Sequence, residues 1–351
     1  MCCGKQALLS TAMDSHTVPK FLLNRFAYDD PVKKSRRLWQ YTKGRAPWAF
    51  ASPKTATRIP GHLADPTNAE REAKMETRLN EEFENPVHQF LPLFQYRTFA
   101  PTRLQIRQMT RYITLLWNRS QNRRKATKEQ IAMSIELTRG FIADEQKLAR
   151  VAGYWTMDML RLGFQLDRPV TSTEVQNSAE KMIATMQTEE HQQTAYVDTM
   201  ERAMAITEPA LENGEWSTVQ TDLEHPFVIG DAPVVTWRRR QNGTLDYGFG
   251  FNTPDVEVIL PISSTECIQV LPDVQRILRC KPPRINEINH AQAAFATKYC
   301  YGHKCDPAID KLLQTVFSQR QIGVNAFTLR HKNYSDAMFE IFMSGGSSFR
   351  R

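Results

Sequence analysis

The stretch "PFVIGDAPVVTW", Pro226–Trp237, decides the fold class. Its β-branched and apolar residues read as strand, and Gly230–Asp231 with Pro233 break that strand with a turn. Downstream the same grammar recurs in "VEVILPIS" (Val256–Ser263) and "ECIQVLP" (Glu266–Pro272), and just upstream in "EWSTVQTD" (Glu215–Asp222). "GFGFNTP", Gly248–Pro254, lacks dinucleotide-loop spacing and reads as a turn between strands. Further upstream the period changes from two to nearly four. Met75, Leu79 and Phe83 mark a helix from Ala69 that Pro86 should kink or divide before "VHQFLPLF". "TRLQIRQMTRYITLLWNRS" (Thr102–Ser120) is a second helix. A third is expected from Thr127, capped with Gln130, running to about Phe164 with a break at Gly140 or Gly153. A fourth is expected from Thr173 to Ile206. Helices first and strands second predict an α+β fold, a helix-rich N-terminal two-thirds packed with a mainly antiparallel strand-rich C-terminal part.

The boundaries follow from the same patterns. Residues 1–13 read as a dispensable extension, with Met13 as a plausible true start, because nothing before Asp14 is patterned for a core. Residues 14–343 read as one α+β domain, helical over about 69–206 and strand-rich over about 215–330. A short helix after Pro19, a strand at "RLWQY" (Arg37–Tyr41) and a loop to Thr67 precede the helices. "INEINHAQAAFATKYC" and Pro307–Arg320 are the last helices, "IGVNAFTL" a last strand, and 344–351 a flexible tail.

Composition narrows the function classes. No apolar run reaches membrane-spanning length, so no membrane partner is expected. Six cysteines in 351 residues do not form a disulfide framework, which points to a reducing cytoplasm. The formal charge of +7 is concentrated in runs such as "VKKSRR", "NRSQNRRK" and "WRRR". Such runs are solvated loops or, if they converge, a nucleic-acid footprint.

Few residues have the spacing of a reactive site. His16 stands just ahead of a helix N-terminus, whose positive end favours the neutral imidazole that can accept a proton. Asn24 and Arg25 are set into the helix behind it and are candidate substrate contacts. Asp231, at the end of an apolar strand, either caps its own turn or supplies a site carboxylate. Glu84, just before "NPVH", is the carboxylate of the acidic helix most suspect as a base or metal ligand. Arg119 and Arg123 stand four apart at a helix end, a spacing suited to clamping phosphate. Cys300, His303 and Cys305 have metal-ligand character, but a fourth zinc ligand would have to come from Cys280 or His290.

In order along the chain, these pieces resemble a bacterial and fungal family, the domain-of-unknown-function family numbered 4238. The matching elements are His16, Pro19, Asn24, Arg25 and Phe26; "RRLWQY"; "METRLNEEFENP"; "LLWNRS"; Asp231, Pro233 and Val234; "LPIS"; and Asn289 with Tyr299 and Tyr301. One departure is Gly230, where the family usually has serine or threonine before the aspartate. The resemblance implies no activity, but it makes His16 and Asp231 polar landmarks of a shared site. The basic runs, a neutral-prone His16 and the candidate carboxylates give the expectation of a nucleic-acid phosphodiesterase, in the role of a toxin or phage-defence effector. His16 would act as acid or base, with Asp231 orienting it or holding a divalent metal such as Mg or Mn. Glu84 and Asn289 would complete the catalytic set, and Arg119 and Arg123 would stabilise phosphate charge. The alternative is a non-catalytic regulatory or partner-binding module.

Overall fold

A computed structural model describes residues 14–66, 68–96, 98–205, 208–240, 243–271 and 285–318. The N-terminal extension, Cys280, the strand expected at "IGVNAFTL" and the C-terminal tail lie outside them. The fold is α+β, and its contacts group into two compact units. Among the described residues, one comprises those up to Arg124 together with those from Tyr196 to Ser318, and the other Lys125–Ala195.

Among the described residues the first unit holds all the strands, and every pairing is antiparallel. One five-stranded sheet runs in the order Glu215–Gln220, Glu266–Leu271, Glu257–Pro261, Val235–Arg239, Leu245–Tyr247. A second is built from both ends of the chain. Ser35–Thr42 pairs with Tyr28–Asp30, Arg45–Ala51 and Tyr299–Gly302, and the last of these pairs with Ile229–Gly230. A two-stranded ladder sets Ser15 opposite Ile59 and His16 opposite Arg58. The core joins Phe227, Ile229, Trp237, Leu260 and Ile268 with Met109, Tyr112 and Leu116 of the helix Arg103–Arg119.

Several local expectations are corrected. The supposed loop before Thr67 contains two strands, Arg45–Ala51 and Arg58–Pro60. The helix before Pro86 is divided rather than kinked, and the division lies just ahead of the proline. The helix Ala69–Arg78 passes through a π-helical stretch, Leu79–Glu84, and resumes as Asn85–Phe90. The Thr127–Gln130 capping box is unused, because that helix already begins at Gln121 and Thr127 is buried inside it. It breaks at neither glycine but at Asp144, whose carboxylate accepts from the Gln146 and Lys147 N–H groups and starts the helix Glu145–Arg161. The single helix expected over 173–206 is two. Ser172–Met186 opens on a Thr171–Glu174 capping box, and Thr188 Oγ accepts from His191 N to start Glu189–Ala205. "ATKYC" turns into the strand Tyr299–Gly302 rather than continuing its helix.

The second unit is helical. Glu145–Arg161 packs on Ser172–Met186 through Leu148, Val151, Ala152 and Val175.

Candidate functional site

The π-helical stretch decides where Glu84 points. Leu79 and Phe83 bury against Leu63, Met75, Leu115 and Tyr196. The extra residue per turn rotates the following carboxylate relative to an α-helical path, and such segments recur at functional sites. Glu84 thereby meets Arg119, the last residue of its helix, with Arg119 donating to Glu84 Oε1 at 2.8 Å. Glu76, two turns earlier, approaches the same guanidinium at 3.6 Å. The Arg119 side chain is only 3% exposed, so its charge is neutralised inside the protein by these two carboxylates. Ser15 Oγ donates to Glu76 at 2.5 Å and ties the first strand to this cluster.

His16 sits beside Ser15 on that strand, half-buried. Its Nε2 donates to the Lys54 carbonyl at 2.8 Å, since a carbonyl only accepts. In the neutral ring this leaves Nδ1 as the proton acceptor. His16 is within electrostatic reach of Glu84, whose carboxyl a protonated His16 would draw down. Burial acts more strongly and raises the Glu84 carboxyl above its usual range, with Arg119 opposing and Glu76 reinforcing the rise. Burial also pushes up the Tyr112 phenol, and the Glu84 charge adds to that shift.

Behind Arg119 lies a second polar layer. The Arg119 carbonyl accepts from His62 Nε2 at 2.8 Å and from the Tyr196 hydroxyl at 3.2 Å. Burial lowers the His62 imidazole from 6.5 to about 4. A base whose folded value is depressed stabilises the fold fully above the unfolded value and loses that contribution as pH falls toward the folded one. Acidification from pH 7 to about 4.5 should therefore remove roughly 2–3 kcal/mol through His62. Urea unfolding at the two pH values checks this. His62→Gln should flatten the dependence, and an unchanged slope would contradict it.

His16, Glu84 and Arg119 thus come together, but the other predicted residues do not join them through any described hydrogen bond or ion pair. Asp231 serves as an anchor for a turn. Its carboxylate accepts from the backbone N–H groups of Thr297, Lys298 and Tyr299 at 2.7, 2.8 and 3.0 Å. Asn289 bridges Val228 N and the Pro226 carbonyl, and Gln292 does the same for Gly230 N and the Pro233 carbonyl. These two side chains, one helical turn apart, supply the pairing that the broken strand lacks. A Cβ at Gly230 would lie 3.0 Å from the Gln292 carbonyl oxygen, so tight packing accounts for glycine before the aspartate. Arg25 is held by the Ile262 carbonyl at 2.7 Å and by Glu266 at 3.5 Å. Asn24 ends its short helix half-buried, and burial lowers the proton affinity of Arg123. The expected Arg119–Arg123 phosphate clamp is corrected by the engagement of Arg119 with Glu84 and Glu76.

Asp231→Asn consequently becomes a stability variant. An amide sets a donor against N–H donors, and a loss of about 1–3 kcal/mol is expected, read as a lower melting temperature. An unchanged melting temperature would show that the turn does not need the charge.

Sequence reasoning missed Ser15, His62, Tyr112 and Tyr196, because a buried hydroxyl or a lone histidine has no spacing signature. Cys300 is buried and His303 packs edge-on to Tyr28. Among the described residues the one cluster of three metal-capable side chains is Asp222, Glu224 and His225, all exposed.

An α+β unit with a strand-borne histidine beside a buried carboxylate–guanidinium network is the class that fold and site define. A family profile described as "Protein of unknown function (DUF4238)" matches residues 15–306, and the chain belongs to that family. No curated protein and no solved structure matches the chain. No helix among the described residues is long and apolar enough to cross a membrane.

Proposed function

We propose that this chain is a hydrolase of nucleic-acid phosphodiester bonds in which His16 and Glu84 form the acid–base pair. The observation that supports it most is a histidine whose Nδ1 is left as the acceptor, within electrostatic reach of a carboxyl whose proton affinity burial raises. In this scheme water attacks phosphorus and gives its proton to His16 Nδ1. The P–O bond to the leaving oxygen breaks, and that oxygen takes the Glu84 proton. Arg119 positions Glu84 rather than touching substrate. Glu84 and Glu76 are already engaged by Arg119, so a divalent metal such as Mg or Mn would have to compete with a guanidinium for them. A toxin or phage-defence effector working in the cytoplasm is the setting that fits such an activity.

The second reading, a non-catalytic regulatory or partner-binding module, is favoured by a different observation. Asp231, Asn289 and Arg119 are buried with partners in place, as structural polar groups are. Incubating the purified chain with end-labelled RNA and DNA, with divalent metal or with chelator, separates the two. Cleavage products are expected. Intact substrate under every condition would favour the module.

A further inference from the structure

One short segment is strongly basic. Residues 28–58 carry eight Lys or Arg against two Asp, while the whole chain has a formal charge of +7. The same segment forms the strands Tyr28–Asp30, Ser35–Thr42 and Arg45–Ala51. Residues directly opposite across strands share a face, as do alternate residues along one. Tyr28 is opposite Arg37 and Trp39 is opposite Phe50, so Tyr28, Arg37, Trp39, Trp48 and Phe50 lie on one face.

The rings on that face form a continuous set. Tyr28 stacks on Trp39 with centroids 6.0 Å apart, and Trp39 meets Phe50 at 4.5 Å and Trp48 at 4.0 Å. The Arg37 guanidinium lies 4.5 Å over the Phe50 ring. Phe50 is 44% exposed, and Tyr28, Trp39 and Trp48 are half-buried, the two tryptophans packing in part against the buried cluster around Tyr41 and Val228. Lys33, Lys34 and Arg36 line the adjoining turn and strand end, all exposed. Asp29 and Asp30 pair with Arg36 and Arg37, which leaves the segment strongly positive.

We infer that this aromatic and basic sheet face binds single-stranded nucleic acid by base stacking. Charge complementarity selects a polyanion. An exposed ring, Phe50, beside half-buried ones on a sheet face favours unpaired bases, because a duplex keeps its base faces covered. The inference rests on the phosphodiesterase reading and supplies its substrate class. The face also leads to the acid–base centre. Four residues after Phe50, at most about 14 Å of extended chain, the Lys54 carbonyl holds His16.

The test is fluorescence anisotropy of the full chain with labelled oligo(dT) and with a duplex of equal length, alongside intrinsic tryptophan emission. Oligo(dT) should bind more tightly than the duplex at low salt, quench tryptophan emission, and weaken steeply with added salt. Phe50→Ala should weaken oligo(dT) binding about tenfold at unchanged melting temperature. Arg36→Gln with Arg37→Gln should lower the salt slope by about 1–2. Binding with these signatures but without cleavage upholds the face and removes the phosphodiesterase reading. Cleavage that is indifferent to Phe50→Ala and to the arginine pair upholds that reading and overturns the face. Equal affinity for duplex, or self-association through Phe50 with no oligonucleotide binding, also overturns it.

Discussion

Arg119→Met is expected to cost about 3–5 kcal/mol, the usual loss when one partner of a buried ion pair is removed. The guanidinium is 3% exposed and stands between Glu84 at 2.8 Å and Glu76 at 3.6 Å. Without it, two carboxylates face each other with no counter-charge. Glu84, already raised by burial, loses the group that opposes the rise. A carboxyl whose folded value lies above its unfolded value destabilises increasingly as pH rises between the two, so the deficit should shrink on acidification. The full loss is a large share of a typical domain stability of about 5–15 kcal/mol. Urea unfolding of the variant at neutral and mildly acidic pH is the check. Adding Glu84→Gln should recover part of the loss, because the two sites share one interaction. A loss below about 1 kcal/mol would mean that the pair is effectively solvated, as surface pairs are.

The sequence made the fold class legible because helix and strand periods are local properties. Met75, Leu79 and Phe83 mark a helical stripe, and "VEVILPIS" marks a strand whatever it packs against. The strand Arg45–Ala51 was hidden by Pro47, which a strand tolerates at an edge where no N–H is owed. Its described pairing is to Ser35–Thr42 alone. Glu84 and Arg119 were each visible as candidates, but their pairing spans 35 residues and depends on a π-helical stretch with no sequence signature. Asp231 illustrates the opposite failure. A carboxylate at a strand end looks the same in sequence whether it faces a substrate or, as here, three backbone N–H groups. Asn289 looked like a site residue and instead belongs, with Gln292, to a helix that repairs a broken strand.

His16→Ala is the second large effect, and it concerns activity rather than stability. The hydrogen bond it removes, from Nε2 to the Lys54 carbonyl, lies in an exposed environment and contributes at most about 1 kcal/mol. The half-buried ring fills little core volume, so the melting temperature should barely move. A general acid or base contributes about 10²–10⁴ in rate, and a loss of at least about 100-fold in cleavage is expected. The decisive measurement is the cleavage rate of end-labelled single-stranded RNA by His16→Ala beside the unaltered chain, with both melting temperatures recorded. The acid–base account predicts cleavage lost and melting temperature kept. Cleavage retained by the variant, or lost only in step with unfolding, would contradict it.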